Sequence, residues 1–214
     1  MLQTVRYLIG TAGPSGYGSK SAAEEVTESC PDLRSVTAII TGATSGIGAE
    51  VARVLAKRGA RLVLPTRNLK AAEEARARIV AEFPDSEILV MALDLSSLSS
   101  FTHNHAISED GIEMTFATNY LGHFLLTKLL VNKMAETASA TGIQGRIVNV
   151  TSGIHGWVSG DIIQNLGVIT RNKRQYDATR AYALSKLCNV LHTKELAYRL
   201  KVGWFGCVIY NCSY

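Results

Sequence analysis

The stretch SVTAIITGATSGIGAE, residues 35–50, decides the fold, because a strand-like run passes through a glycine-rich turn into a helical pattern. Residues 36–40 are mostly apolar and β-branched, which predicts a buried strand. Gly42, Gly46 and Gly48 follow it. Glycine permits a positive φ, lets the backbone approach a pyrophosphate without a Cβ, and lets a helix pack closely on a strand. The stretch therefore predicts a phosphate-binding turn at the start of a helix, and the alternative is an ordinary glycine-rich turn.

A second stretch, RAYALSKL at residues 180–187, places Tyr182 and Lys186 four positions apart. On a helix this spacing projects both side chains from one face. Upstream, the run GRIVNVTS predicts a buried strand with Ser152 at its carboxyl end, where open α/β sheets bind their ligands. Asn119 lies in FATNYLGHFLLTKLL, whose apolar positions follow the period of a helix. These four polar side chains are the candidates for one catalytic site.

The order of a glycine-rich turn, Asn119, Ser152 and then Tyr-x-x-x-Lys resembles the short-chain dehydrogenase/reductase family. The likeness is to its retinol-dehydrogenase-like branch, in particular to the plant members associated with the protein translocon of the chloroplast inner envelope. Phrases such as RLVLPTRNLKAAEEARARI and YDATRAYALSKL carry it. The resemblance implies a Rossmann-like α/β fold with a doubly wound parallel sheet, and NADP(H)-dependent interconversion of carbonyls and alcohols. The alternative is that the Tyr-x-x-x-Lys pair lies on a helix surface and the serine is a helix cap.

The residue types suit carbonyl reduction. The reaction needs a proton for the oxygen that becomes an alkoxide, and a free phenol is a poor acid–base group at neutral pH. A cation beside the phenol stabilises the phenolate, and Lys186 supplies one. The resemblance makes Tyr182 the acid–base residue and gives Lys186 a second task at the nicotinamide ribose. Ser152 would hydrogen-bond the substrate oxygen, and Asn119 would organise its helix and a water that leads protons to Lys186.

Cofactor choice depends on the residues that follow the second predicted strand, 61–65. A carboxylate there would bind the ribose 2′-hydroxyl of NAD, whereas a cation accommodates the 2′-phosphate of NADP. The chain offers Arg67 and no acid before Glu73, so NADP(H) is predicted, with a solvated loop arginine as the alternative. Together with the resemblance, this predicts the following cofactor-binding residues: Gly42, Thr44, Ser45, Gly46, Ile47, Gly48, Arg67, Asn68, Asp94, Leu95, Thr118, Tyr182 and Lys186.

Composition points to one globular domain, since 214 residues with 47% hydrophobic content can bury a sizeable core. We expect an amino-terminal arm at 1–34, an NADP-binding domain at 35–201 and a divergent tail at 202–214. The net charge of +4 is spread along the chain, so a nucleic-acid partner is not predicted. Four cysteines without a C-x-x-C pair indicate a reducing compartment. His103 and His105 are interpreted as loop residues, and no metal site is predicted.

No apolar run approaches the length of a membrane span. The first nine residues are interpreted as a short amphipathic helix that makes peripheral membrane contact, followed by a flexible linker. The alternative is a transit peptide, which the absence of acidic residues before Glu24 and the early Ser, Gly and Ala content weakly resemble. The resemblance extends into this segment. We therefore expect a peripheral protein of the chloroplast inner envelope with translocon proteins as partners, and a cytoplasmic location is the alternative. The subunit interfaces of the family leave a homo-oligomer open.

One interval departs from the family pattern. Only residues 95–118 separate the third predicted strand, 87–93, from Asn119, and this interval must hold a crossover helix, a fourth strand and a loop. It contains no apolar run fit for a buried strand, and the family's Asn-Asn-Ala-Gly segment is absent. We therefore expect a sheet without its fourth strand, as if one βα unit had been removed between Ser100 and Phe101.

Two consequences follow for the sheet and the activity. Strand 36–40 and strand 146–150 would either pair directly or leave backbone groups unsatisfied. Beyond Lys201 the normal carboxyl-terminal strand, Pro-Gly turn and substrate lid of the family are missing, although residues 205–210 are strand-like. The alternative function is therefore a catalytically silent variant that keeps partial nucleotide binding and acts through protein partners.

Overall fold

The structure is a computed structural model and describes residues 12, 16–18, 20–30, 32–95, 105–202 and 207–213. Their packing divides the chain into two compact units, Met1–Asp94 and Leu95–Tyr214. Each unit combines parallel strands with helices, as a Rossmann-like α/β fold requires. The division into an arm, a domain and a tail at residues 34 and 201 stays a prediction.

The first unit contains a three-stranded parallel sheet with a helix after its first and second strands. Its elements are α1 (Ala23–Val26), β1 (Thr37–Ile39), α2 (Gly46–Lys57), β2 (Arg61–Thr66), α3 (Leu69–Glu82) and β3 (Ile88–Ala92). The strand order is β1-β2-β3. Leu62 and Leu64, at alternate positions of the central strand, are fully buried and pack with Ala52 and Ala56 of α2. The small alanine side chains let this helix lie close to the sheet.

The segment that leads into β1 is hydrogen-bonded to α2. Arg53 on α2 forms an ion pair with Glu24 of α1. The Arg58 guanidinium, at the end of α2, donates to the Glu24 carbonyl at 3.1 Å, and the Arg58 carbonyl accepts from the Leu33 N–H at 2.7 Å. This part of the predicted arm is therefore fixed to the unit, whereas the predicted helix at residues 1–9 lies outside the described residues.

The second unit contains a two-stranded parallel sheet and the helices that carry Asn119, Tyr182 and Lys186. Its elements are α4 (Met114–Phe116), a π-helical segment (Ala117–Leu121), α5 (Gly122–Thr141), β4 (Gly145–Thr151), a 3₁₀ turn (Gly153–Trp157), α6 (Ile162–Arg171), a second 3₁₀ turn (Lys173–Gln175), α7 (Ala178–Val202) and β5 (Cys207–Ser213). β4 and β5 pair in parallel along their whole length. The core includes Ile169 and Leu184, which are fully buried.

The expected gap in the sheet is present in the described part of the chain. Between β3 and β4, residues 93–95 and 105–144 contain helices and one isolated antiparallel bridge between Ile107 and Glu113, but no strand. The expected deletion point at Ser100 and Phe101 lies outside the described residues.

Two further expectations concern the strands. β1 belongs to the three-stranded sheet of the first unit and β4 to the two-stranded sheet of the second, so direct pairing of the two strands, one of two alternatives, stays a prediction. β5 pairs with β4 at the strand-like segment predicted for residues 205–210, but it begins at Cys207.

Candidate functional site

The turn between β1 and α2 needs glycine at three positions, for two different reasons. Gly42 and Gly46 have φ values of 68° and 54°, in the left-handed region that favours glycine. A Cβ at either position would meet nothing within 4 Å, so the space in front of the turn is open. At Gly48 the reason is contact, because a Cβ there would touch the Gly42 carbonyl oxygen and lie 2.8 Å from its carbon. The glycines therefore hold α2 against the turn and leave an open backbone surface.

The amino-terminus of α2 has backbone donors to offer. Ser45 is the N-cap residue, and its hydroxyl accepts no hydrogen bond from the helix. The Ala49 N–H donates to the Ser45 carbonyl at 3.2 Å, so the N–H groups of Gly46, Ile47 and Gly48 precede the first helical bond. Such a helix start attracts an anion, as the sequence predicts. Thr44 is half-buried beside this turn.

Two more predicted cofactor residues lie at the same edge of the first sheet, because the carboxyl ends of parallel strands meet there. Arg67 follows β2 and Asp94 follows β3, and both are exposed. Among the described residues Arg67 has no ion pair or hydrogen bond. The Asn68 carboxamide oxygen accepts from the Ala71 N–H at 3.1 Å and so caps α3. Asn68 therefore keeps only its amide donors for a ligand.

Tyr182 and Lys186 lie on one face of α7, as their spacing predicts. The Lys186 Nζ is 5.5 Å from the centroid of the Tyr182 ring. It donates to the Val150 carbonyl at 3.0 Å, and this bond fixes the ammonium next to the end of β4. Burial lowers the pKa of the Lys186 ammonium.

Ser152 is attached to the same place through its neighbour. The Thr151 hydroxyl donates to the Lys186 carbonyl at 3.1 Å, which fastens the end of β4 to α7. The Ser152 oxygen accepts from the Ile154 N–H at a long 3.5 Å. Its own proton has no acceptor among the described residues, so the hydroxyl can donate to a substrate oxygen.

Asn119 lies in the π-helical segment rather than in the regular helix that the sequence predicts from Ile112 onward. Its side-chain amide donates to the Ser185 hydroxyl at 3.2 Å, and its carbonyl accepts from the Asn189 amide at 3.2 Å. Both partners are on α7, so Asn119 is tied to the helix of Tyr182. The helix starts only after Glu113, because that carboxylate accepts the first free N–H groups.

Three further residues shape this part of the site, and of these the sequence predicts only Thr118. The Thr118 hydroxyl donates to the Met114 carbonyl at 2.8 Å. The ring Nδ1 of His123 lies 3.0 Å from the Thr118 carbonyl, which requires a proton on that nitrogen. Burial and the positive charge of Lys186 lower the pKa of His123. A Cβ at Gly122 would lie 2.9 Å from the Leu95 Cβ, so glycine allows α5 to approach the loop after β3.

The signals for the missed residues were a glycine inside a helical pattern and a histidine in an apolar run. The predicted loop residue His105 has a structural contact, since its Nε2 is 3.0 Å from the Thr170 carbonyl. His103 lies outside the described residues. No cluster of three metal-ligating side chains occurs in the part of the chain that the structure describes.

These features define the class of protein. A glycine-rich turn after the first strand of a parallel sheet and a Tyr-x-x-x-Lys helix are typical of Rossmann-like dinucleotide-dependent oxidoreductases. Residues 36–103 match the short chain dehydrogenase family. The chain is 44% identical to the short-chain dehydrogenase TIC 32 A, chloroplastic, of Brassica napus, over 90% of this chain and 67% of that protein. The chain belongs to the short-chain dehydrogenase family.

Other relatives and solved structures agree with this assignment. Retinol dehydrogenase 13 of Mus musculus is 36% identical over 80% of this chain and 57% of its own length. An uncharacterized protein of Mycobacterium paratuberculosis superposes with a TM-score of 0.67 at 30% identity, over 86% of this chain and 69% of its own. A metagenomic short-chain oxidoreductase in complex with NADP superposes with a TM-score of 0.61 at 20% identity, over 85% of this chain and 82% of its own, and shows the shared fold.

The match to the Brassica napus protein contains positions that this chain lacks. It extends over 216 positions but occupies 90% of this 214-residue chain, about 193 residues, so that protein has about 23 residues without a counterpart here. The chain spans about two thirds of that relative and just over half of the retinol dehydrogenase.

Proposed function

We propose that this chain is an NADP(H)-dependent oxidoreductase that interconverts small carbonyl compounds and alcohols, with Tyr182 as the acid–base residue. The observation that carries the proposal is the Lys186 ammonium, which lies beside the Tyr182 ring and is held by the Val150 carbonyl next to Ser152. A cation in that position stabilises a phenolate, which a proton-donating tyrosine becomes.

The residues of the first unit fit the adenosine half of the cofactor. The free N–H groups at Gly46, Ile47 and Gly48 suit a pyrophosphate, and the open space at Gly42 admits it. Arg67 is the cation for a 2′-phosphate, and Asp94 together with Leu95 is the proposed adenine contact. The cofactor supplies the hydride.

The residues of the second unit hold and move the proton. Ser152 donates a hydrogen bond to the substrate oxygen as negative charge develops there. Tyr182 then gives that oxygen its hydroxyl proton, and Lys186 stabilises the phenolate that remains. Asn119 positions α7 through its bonds to Ser185 and Asn189. The Thr118 hydroxyl donates to the Met114 carbonyl and so supports the π-helical segment that contains Asn119.

The test is Tyr182→Phe, because the phenyl ring keeps the packing but has no proton to give. We expect turnover of a panel of small aldehydes with NADPH to fall by about 10²–10⁴-fold, the usual worth of a general acid, while the affinity for NADPH stays within about twofold. Tyr198→Phe is the matched control, since Tyr198 lies on the same helix and is 67% exposed. Equal activity of Tyr182→Phe and the wild type would refute the assignment.

A second candidate function, a nucleotide-binding protein without turnover that acts through protein partners, is favoured by one observation. In the described residues the first sheet has three strands and no fourth, and in doubly wound sheets the fourth strand lies next to the nicotinamide. In that case 2′,5′-ADP would compete for NADPH binding and nicotinamide mononucleotide would not bind measurably. Turnover of the aldehyde panel would exclude this function.

The similarity to TIC 32 proteins supports a location for either function. Two relatives of that name, both from Brassica napus, are described as chloroplastic, so we propose a peripheral place at the chloroplast inner envelope with translocon proteins as partners. None of the helices in the described residues is long and apolar enough to cross a bilayer. Import of the tagged chain into isolated chloroplasts, followed by fractionation of the envelope, tests the location.

A further inference from the structure

In the second unit, two helices begin a few residues before the proposed catalytic residues. Glu113 precedes α4 and the π-helical segment that contains Asn119. Tyr176 and Asp177 precede α7, which carries Tyr182 and Lys186. These two starts are 63 residues apart in sequence but are joined by one hydrogen bond, between the buried Glu113 and the half-buried Tyr176.

Glu113 is fully buried, and its carboxylate is occupied by three donors. Oε1 accepts from the Thr115 N–H at 3.0 Å and from the Tyr176 hydroxyl at 3.0 Å. Oε2 accepts from the Phe116 N–H at 2.8 Å. A buried carboxylate with these bonds and no cationic partner among the described residues is costly to displace, because its charge is stabilised there only by these three donors. The carboxylate therefore serves both helix starts at once.

The Tyr176 side chain is held from its other sides as well. His105 packs edge-on to the ring at 5.0 Å between centroids, and the His105 Nε2 is fixed at 3.0 Å from the Thr170 carbonyl. The next residue, Asp177, caps α7 by accepting from the Thr179 N–H at 2.8 Å. Burial, together with the charge of Glu113, raises the pKa of Tyr176 to about 12, so the hydroxyl keeps its proton across the working pH range.

We infer that Glu113 and Tyr176 are a positioning pair that sets Asn119 against Tyr182 and Lys186, an inference that rests on the proposed function. The bonds that Asn119 makes to α7 are both 3.2 Å long, near the limit for such bonds, so they tolerate little relative movement of the two helices. Loss of the Glu113–Tyr176 bond frees the helix starts to move apart. A displacement of about 1 Å in a catalytic arrangement costs on the order of 10²-fold in rate.

The test uses Tyr176→Phe, which removes the hydroxyl and keeps the ring, with Tyr198→Phe as the matched control on an exposed tyrosine. We expect kcat with NADPH to fall by about 10–100-fold while the KM for NADPH stays within about twofold, because the cofactor's adenosine half is held elsewhere. The melting temperature should fall by only about 2–4 °C, the effect of one lost hydrogen bond in a chain of this size. In Glu113→Gln an NH₂ group replaces the carboxylate oxygen that accepts from the Phe116 N–H, so two donors face each other. This variant should show at least the same loss in kcat.

Three results would overturn the inference. The first is an unchanged kcat in Tyr176→Phe. The second is a rise in the KM for NADPH by the same factor as the fall in kcat, which indicates general loss of structure. The third is a loss of kcat in Tyr198→Phe as large as that in Tyr176→Phe. A wild-type chain without turnover would be a failure of the proposed function instead. Amide hydrogen exchange in Tyr176→Phe then tests the inference at the two helix starts, residues 113–119 and 177–183. Faster exchange at both starts supports the positioning pair. Faster exchange at only one start, or at neither, overturns it.

Discussion

Gly48 and Gly122 have the same structural role, one in each unit, because each lets a helix contact another stretch of backbone. A Cβ on Gly48 would touch the Gly42 carbonyl, and a Cβ on Gly122 would touch the Leu95 carbonyl. Contacts of this kind cannot be relieved by turning a flexible side chain, since the neighbour is main chain. Both positions flank predicted cofactor contacts, so the tight packing defines where those contacts lie.

Gly48→Ala tests the first of these contacts. We expect a destabilisation of about 1–3 kcal/mol, the usual cost of forced overpacking, and a loss of NADPH affinity of at least about tenfold because the turn must move. The measurements are a thermal melt and a fluorescence titration with NADPH. Gly167→Ala is the control, since a Cβ there meets nothing within 4 Å and alanine favours the interior of a helix by about 0.5–1 kcal/mol. Undiminished NADPH affinity in Gly48→Ala would contradict the assigned role of the turn.

Arg67→Glu tests the proposed choice of cofactor. The side chain is exposed after β2 without a partner in the described residues, so its removal should leave the fold intact. We expect the affinity for NADPH to fall by about tenfold or more, because two like charges replace an ion pair, while the affinity for NADH is retained. Arg78→Glu, an exposed arginine on α3, is the matched control. A parallel loss of both cofactors would show that Arg67 does not read the 2′-phosphate.

At the scale of elements, the π-helical segment Ala117–Leu121 changes the geometry around Asn119. It is followed by His123, whose ring donates back to the Thr118 carbonyl over a span of five residues. Burial and the positive charge of Lys186 lower the pKa of His123. π-Helical turns are rare and often occur at functional sites, which agrees with the position of this one.

The lowered pKa of His123 gives a pH dependence of stability. Below the unfolded value of about 6.5 the unfolded chain binds the proton more readily than the folded chain, so the free energy of unfolding falls as the pH falls. Each such histidine contributes at most about 1.4 kcal/mol per pH unit, and His192, whose pKa burial also lowers, adds to the slope. Urea unfolding between pH 7 and 5 should show a shallower acid slope in His123→Asn than in the wild type. An unchanged slope would contradict the burial of a neutral imidazole at this position.

The strands and the π segment show what sequence patterns can and cannot predict. The strand at β1 and the helix at α7 follow from local apolar patterns and from the spacing of Tyr182 and Lys186, which depend on the period of each element. The π segment does not follow, because a 3.6-residue period describes which face is buried and not which carbonyl each N–H reaches. The carboxylate of Glu113 was also missed, since its partners include Tyr176, far away in sequence. The missing fourth strand was predicted because residues 95–118 are too few to hold one.

At the scale of the whole molecule, the described strands form two parallel sheets that leave apolar side chains exposed. Ile39, Leu89 and Met91 are exposed in the first unit, and Val148 and Val150 are exposed in the second. A doubly wound sheet covers such residues with the helices of its further βα units. The Brassica napus relative carries about 23 residues more within the matched stretch. Whether hydride transfer survives this difference decides between the two candidate functions.

The fate of the hydride itself distinguishes the oxidoreductase from the nucleotide-binding protein. The chain is incubated with a small aldehyde and NADPH that carries deuterium on the transferring face of C4, and the alcohol is analysed by mass spectrometry. We expect one deuterium on the former carbonyl carbon of each alcohol molecule from the wild type, and almost none from Tyr182→Phe at equal NADPH occupancy. NADPH binding without deuterium in the alcohol would contradict the proposed oxidoreductase and leave the nucleotide-binding function in its place.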